Sequence, residues 1–181
     1  MYFKNDEYKL KAKNYINEII NGTAGSVSSN NAILVRYLEA VKYIERNYVN
    51  QVNDEMIADL YAVINGISEI TSFYRTDEDR SRDNRVIIDR IYTCAPVSKI
   101  DEMMESLISF ISQSSLPTVV KAVTAYFYIN YIRPFKLFSD EIALLIMKAI
   151  IAHESIYDLG AYLPLESLLV DYSETMAKIS V

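Results

Sequence analysis

The sequence predicts a compact, mostly helical domain with one short β segment. Half of the 181 residues are hydrophobic, and the chain has only four glycines and four prolines, which favours packed helices over a sheet sandwich with many turns. Apolar residues recur at helical spacing along most of the chain. One β-branched run, Val86–Tyr92, has strand character instead. We therefore expect an all-α fold with a small β element.

Helix-end signals divide the chain into elements. Asn53 is expected to cap one helix that ends near Gly66, and Ser98 is expected to cap another. Pro117 suits the first turn of a helix, and that helix must end before Pro134 because the residue before a proline avoids the helical region. The predicted helices span residues 6–21, 33–48, 54–65, 99–113, 117–132, 139–153 and 164–178. We take residues 1–22 as an N-terminal helix and residues 23–181 as the main domain.

Composition excludes several classes of function. A net charge of −6 disfavours binding to nucleic acid, because an acidic surface repels phosphate backbones. The longest apolar run, Ile142–Ala152, is about half of what a bilayer crossing needs, so no membrane span is expected. One cysteine and the lack of a secretory leader favour the cytoplasm. Because the chain has one His and one Cys, it cannot assemble a His/Cys zinc site, and we expect no metal and no cofactor.

The segment Tyr126–Leu145 carries a pattern that points to a chemistry. An apolar helix is followed by Ile-Arg-Pro-Phe-Lys-Leu-Phe-Ser-Asp-Glu and then by a second apolar helix. This arrangement resembles the active-site turn of Fic (Fido-fold) AMP-transferases, in which the turn reads Ile-His-Pro-Phe-x-(Asp or Glu)-Gly-Asn-Gly-Arg-x-x-Arg. The resemblance implies a helical Fic-like domain with a small β-hairpin flap. Pro134 and Phe135 match the family's scaffold positions.

The positions that carry the family's chemistry are replaced in this chain. The resemblance places Arg133 where the family has its general-base histidine, and a guanidinium cannot accept a proton near neutral pH. Leu137 stands at the Mg²⁺-binding acid and offers no oxygen ligand. The glycine-rich phosphate cradle has become Phe138, Ser139 and Asp140, and its two arginines have become Glu141 and Leu144. The resemblance therefore implies that AMP transfer has been lost.

The start of the second helix also disfavours a polyphosphate. We expect Ser139 to cap the helix and Asp140 and Glu141 to place two carboxylates in its first turn. At ~4 Å and an effective dielectric near 20, one like-charge contact costs about 4 kcal/mol before screening. The simplest interpretation of these three residues is an ordinary capped helix start, and it agrees with loss of ATP binding.

Other segments resemble the family in the family's order. Ser72–Arg75 is similar to the Gly-x-Tyr-Arg entry to the flap, and the flap itself corresponds to the run that includes Val86, Ile87, Ile88, Asp89, Arg90 and Ile91. In a further match, Ser26 and Asn30 fit the family's inhibitory motif, with Asn30 in place of its glutamate. This last match has an equally good alternative, a polar cluster at a helix start.

The resemblance leaves three functions open. The first is a protein-binding or regulatory module that keeps the flap edge, because strand addition needs only backbone groups. The second is a divergent transferase that uses a nucleotide-like donor, with candidate groups Arg133, Lys136, Ser139 and Asp140. The third is a folding or homo-oligomer-forming remnant without a separate ligand. We expect the first, with a protein partner bound at the flap.

Overall fold

The computed structural model describes residues 29–68, 70, 72–76, 85–87, 90–92, 94–155 and 163–166. The helices are α1 (Ser29–Asn47), α2 (Asp54–Asn65), α3 (Ile100–Gln113), α4 (Thr118–Ile132) and α5 (Ser139–Glu154), with a 3-10 turn at Val97–Lys99. The strands are β1 (Arg85–Ile87) and β2 (Arg90–Tyr92). The described part is thus predominantly helical, as the sequence predicts. The predicted helix 6–21 and most of the helix 164–178 lie outside the described residues.

The helices α4 and α5 form the centre of the fold. They pack along each other in opposite directions, and Thr118 at the start of α4 donates its hydroxyl to Glu154 at the end of α5, over 2.7 Å. Every residue of α5 from Glu141 to Ala152 is buried. Helices α1 and α2 pack against α5, and α3 packs against α4. Both helices were predicted from the sequence, and the structure packs them together at the centre.

Local signals explain the ends of α2. The side chain of Asn53 accepts a hydrogen bond of 2.9 Å from the Met56 amide, and Asp54 and Glu55 lie in the first turn. Gly66 adopts the left-handed conformation at φ 66°, so that its amide reaches the Val63 carbonyl at 3.1 Å. Both predicted ends are therefore confirmed.

Two other expectations require correction. Ser98 does not cap α3, because the 3-10 turn Val97–Lys99 precedes that helix and α3 begins at Ile100 without a side-chain cap. The run Val86–Tyr92 is not a single strand. Its backbone forms both strands of a hairpin, with Arg85 opposite Tyr92, Val86 opposite Ile91 and Ile87 opposite Arg90. Ile88 and Asp89, between the strands, lie outside the described residues.

A buried polar cluster attaches residues 163–166 to the core. The Lys148 ammonium lies 3.1 Å from the Glu166 carboxylate and donates to the Leu163 carbonyl at 2.7 Å. The hydroxyl of Tyr37 on α1 donates to the same Glu166 oxygen at 2.6 Å. Burial, and then the neighbouring Glu166 carboxylate, raise the pKa of Tyr37 well above its ordinary value, so the hydroxyl remains a donor. This cluster gives the buried lysine the partners that it needs.

Candidate functional site

The turn between α4 and α5 holds the residues that the sequence singled out. Helix α4 ends at Ile132, and Arg133 adopts the left-handed conformation at φ 53°, with its amide donating to Ile129 O at 2.8 Å. That conformation is uncommon for a residue other than glycine. Pro134 follows directly and cannot continue the helix. The predicted end of this helix before Pro134 is therefore confirmed.

A second left-handed residue, Phe138, begins α5. Its φ of 61° is the conformation that glycine adopts without steric cost, and here a phenylalanine adopts it. A residue other than glycine in the left-handed conformation costs about 1–2 kcal/mol of steric strain. The Phe138 ring packs against the core, and its carbonyl accepts the first bond of α5, from the Ile142 amide at 2.8 Å. Packing thus maintains a strained backbone at the position where the resembled family has glycine.

Phe135 anchors the middle of the turn in the core, as predicted. Its side chain is 1% exposed. Three aromatic rings surround it, with centroids at 5.7 Å for Tyr61, 5.8 Å for Tyr74 and 6.5 Å for Phe73. Tyr74 and Phe135 also form an isolated antiparallel bridge through their backbones. The extended segment 72–76 is therefore attached to the turn by both rings and backbone.

Arg75 fixes the same segment to the end of α4. Its side chain is 5% exposed, and its Nε donates to the Arg133 carbonyl at 2.7 Å. Its Nη2 donates to the carbonyl of Ala95 and, more weakly at 3.5 Å, to that of Ile132. The Arg75 amide donates to Pro134 O at 2.8 Å. One guanidinium thus satisfies carbonyls that the helix end leaves without an intrahelical partner.

Sequence reasoning included Arg75 only as a match to the flap entry and missed this role. The carbonyls that Arg75 binds lie 20, 57 and 58 positions away in the sequence, so no local pattern indicates them. The available signal was weaker. Arg75 directly follows two aromatic residues, which is a local hint of a cation beside apolar side chains.

Arg133 and Asp140 form an ion pair across the turn. The Nη1 of Arg133 lies 2.7 Å from the Asp140 carboxylate, and the two side chains are only 11% and 13% exposed. The residue at the position of the resembled base, Arg133, is therefore bound to Asp140 in the first turn of α5. The bond is charge-assisted and mostly shielded from water, so it links the two ends of the turn firmly.

Ser139 does not have the predicted role of an N-cap. Phe138 is the N-cap and makes no side-chain cap bond, while Ser139 is the first residue of α5. The Ser139 hydroxyl, 2% exposed, donates to the Phe135 carbonyl at 3.1 Å. Since the left-handed residue shifts the start of the helix by one position, the hydroxyl faces the turn instead of the free amides.

The remaining positions of the motif divide between surface and core. Lys136 is exposed, and Leu137 is 48% exposed. Leu144 is buried in the core. The structure brings together Arg133, Phe135, Ser139 and Asp140. For Asn30 and the hairpin residues the backbone alone is described, and Ser26 lies outside the described residues.

Glu141 is the buried carboxylate of the site, 9% exposed. Burial raises its pKa above the ordinary 4.5 and the Asp140 charge adds to this, while its own backbone amide and Arg133 act in the opposite direction. Because the pKa is raised in the folded state, the protonated form stabilises the fold. That stabilisation is complete in acid and is lost as the pH rises through the folded-state pKa.

We expect Glu141→Gln to be more stable than the wild type at neutral pH, with an advantage that disappears below the ordinary carboxyl pKa of 4.5. Glutamine keeps the shape and removes the buried charge. Urea unfolding at several pH values measures the effect, and the exposed carboxylate Glu105 on α3 provides the control variant Glu105→Gln. Equal pH profiles of Glu141→Gln and the wild type would contradict this assignment.

No group of three or more His, Cys, Asp or Glu side chains that could hold a metal ion occurs among the described residues. In the described part of the chain, none of the helices combines the length and apolar character that a membrane crossing requires.

No family model matches the sequence, and no curated protein matches it either. A search of solved structures finds the crystal structure of a Fic family protein from Desulfovibrio desulfuricans G20, with a TM-score of 0.73 and 15% sequence identity. The match covers 94% of this chain and 53% of that chain, so this chain spans about half the length of the matched protein. At this identity the similarity shows the fold alone, and it shows that the chain has a Fic-like helical fold.

Proposed function

We propose that this chain is a Fic-like protein that does not transfer AMP and that acts as a protein-binding or regulatory module. The proposed absence of AMP transfer rests on the ion pair between Arg133 and Asp140. At the position of the resembled base the chain has a cation that cannot accept a proton, and that cation is already bound inside the turn.

The helix start supports the same conclusion. An intact phosphate cradle exposes backbone amides and the positive end of the helix dipole to the anion. Here Asp140 and Glu141 occupy the first turn of α5. A polyphosphate would have to displace the Asp140 carboxylate from Arg133 and then remain beside it. Both steps are unfavourable, because breaking a mostly buried pair exposes an uncompensated charge.

The alternative, a divergent transferase with a nucleotide-like donor, has fewer groups to work with. Arg133 and Asp140 bind each other, and the Ser139 hydroxyl donates to the Phe135 carbonyl. Lys136 is exposed and is the group on which this alternative would depend. The geometry therefore favours the module over the transferase.

We expect no ATP binding by calorimetry and no transfer of radiolabelled AMP from ATP with Mg²⁺ or Mn²⁺, either to the chain itself or to a mixture of proteins. The reason is the loss of the base, the metal ligand and the phosphate cradle at Arg133, Leu137 and Phe138–Asp140. Lys136→Ala is the matched variant. Labelling by the wild type that Lys136→Ala abolishes would overturn the proposal in favour of the divergent transferase.

The proposed binding of a protein partner concerns the edges of the β1–β2 hairpin. In an antiparallel pair, hydrogen-bonded and non-hydrogen-bonded positions alternate. A two-residue connection makes Ile87 and Arg90 the hydrogen-bonded pair next to the turn, so the amides of Val86 and Ile91 point away from the hairpin. We propose that one of these two amides, each on a different edge of the hairpin, bonds to an added strand of a protein partner.

We expect Val86→Pro or Ile91→Pro to abolish partner binding, whichever lies on the edge that is used. Proline removes the outward amide and leaves the internal bonds of the hairpin intact. Pull-down with identification by mass spectrometry compares the two variants with the wild type. Identical partners for all three folded proteins would contradict binding at the hairpin edge.

A further inference from the structure

Helix α4 is apolar on nearly all sides, although half of it faces outwards. Its sequence, Thr-Val-Val-Lys-Ala-Val-Thr-Ala-Tyr-Phe-Tyr-Ile-Asn-Tyr-Ile, contains one charged residue, Lys121. That lysine is turned inwards, is 7% exposed and pairs with Glu154 of α5. The outer face of α4 therefore carries no charge. A helix that is apolar all round is usually covered on every side.

The outer face of α4 is defined here as Val119, Val120, Thr124, Phe127 and Tyr131. At 100° per residue these positions lie on the side opposite the buried Ala122, Ala125 and Ile129. Val119 is 63% exposed, Val120 45% and Tyr131 55%. Leu116, just before the helix, extends the same apolar surface with 47% exposure. Contiguous apolar surface of this kind marks an interaction site more often than single exposed residues do.

The outer face has small side chains at one end and large ones at the other. Val119 and Val120 lie near its N-terminal end, Phe127 and Tyr131 near its C-terminal end, and Thr124 in the middle. If a second copy of α4 packs in the opposite direction, the valines of each copy meet the aromatic rings of the other. The face is therefore complementary to itself about a twofold axis near Thr124.

Charge opposes a second copy less at this face than elsewhere on the surface. The chain carries a net charge of −6, so two copies repel each other over most of their surface. The repulsion is least where an uncharged face meets an uncharged face, since charges beyond about 8 Å are screened at physiological salt. A basic partner, which the net charge would attract, finds no carboxylate on this face.

We propose that the outer face of α4 is a homodimer interface, in which two copies of α4 pack antiparallel with Thr124 close to Thr124 of the second copy. The helix has 15 residues and so is about 22 Å long. A contact confined to one helix of this length buries less than the ~1,200–2,000 Å² of standard specific interfaces and belongs with the weak ones. We therefore expect a dimer that dissociates in the micromolar range.

Analytical ultracentrifugation over a range of concentrations tests the proposal. The wild type should pass from monomer to dimer, and Val120→Glu should weaken the dimer by at least about tenfold, because it buries an unpaired carboxylate against the aromatic rings of the other copy. Val49→Glu is the matched control, since Val49 is 67% exposed but lies outside α4. Unfolding curves establish that both variants fold. A wild type that stays monomeric, or a dimer that Val120→Glu leaves intact, would overturn the proposal.

A cysteine near the axis tests the antiparallel arrangement. Thr124→Cys should form an intermolecular disulfide under mild oxidation, because the proposed geometry places the two residues close together. Ser109→Cys, on the exposed side of α3, should not, and the native Cys94 is buried. If Thr124→Cys cross-links no faster than Ser109→Cys, the axis does not pass near Thr124. If Val120→Glu instead lowers the melting temperature of a monomer, another part of the same chain covers the face. Either result would overturn the proposal.

Discussion

Replacing Phe135 by Ala should lower the free energy of unfolding by about 3–5 kcal/mol. The Phe135 side chain is 1% exposed and lies among the rings of Tyr61, Phe73 and Tyr74. These neighbours belong to separate segments that Phe135 joins, so they cannot collapse easily into the space that alanine leaves. Lost transfer energy and the residual cavity then add. Urea unfolding, with a fitted midpoint and slope, measures the change.

Leu137→Ala is the matched control for Phe135→Ala. Leu137 belongs to the same turn but is 48% exposed, so its truncation should cost within about 0.5 kcal/mol. If both variants lost the same amount of stability, Phe135 would not be the anchor of the turn. A large loss for Phe135→Ala alone would show that the ring of Phe135 anchors the turn.

The sequence predicted the parts of the fold that depend on local signals. Pro134 ends α4 because of its ring, Asn53 caps α2 through its own side chain, and Gly66 supplies a left-handed residue. The apolar spacing of α5 predicted a central helix, and every residue from Glu141 to Ala152 is buried. Each of these signals acts within about four residues, so reading the chain locally was sufficient.

The sequence did not predict the contacts that depend on distant segments. Ser139 satisfies the usual preference for a cap, yet the packing of Phe138 moves the helix start by one residue. The Arg75 guanidinium binds carbonyls more than 50 positions away, a distance that no periodicity records. The resemblance implied a hairpin at the run Val86–Tyr92, but local signals did not place its turn, because the run contains no glycine, asparagine or proline.

The turn keeps two strained residues although its phosphate-binding glycines are replaced. Arg133 and Phe138 both have positive φ, at 53° and 61°. Such conformations persist only where surrounding structure imposes them. At Phe138 the imposing contact is the core, and at Arg133 it is the pair of bonds to Arg75 and Asp140. The shape of the turn thus depends on contacts with other segments more than on the identity of the residues within the turn.

Arg75→Met should cost about 2–5 kcal/mol, because it leaves the carbonyls of Arg133, Ala95 and Ile132 without the guanidinium at a buried place. Each buried acceptor without a partner costs about 1–3 kcal/mol, and the apolar stem of methionine keeps the packing. Arg75→Lys should recover less than half of the lost stability, since one ammonium group cannot reproduce the planar set of guanidinium donors. Arg36→Met is the control, because among the described residues Arg36 makes one hydrogen bond, of 3.2 Å to Asn65 O.

Amide hydrogen exchange distinguishes a specific role of Arg75 from a general loss of stability. In Arg75→Met the amides at positions 75 and 133, which bond to Pro134 O and Ile129 O, should exchange faster than the amide of Ser155, which bonds to Ile151 O at the end of α5 remote from the turn. A uniform change at all three amides would show that Arg75 contributes only to global stability. If Arg75→Met cost no more than Arg36→Met, the guanidinium would not hold the turn, and the strain at Arg133 would need another source. A local effect at Arg75 and Arg133 would show that one buried cation maintains the shape of a turn whose chemistry has changed.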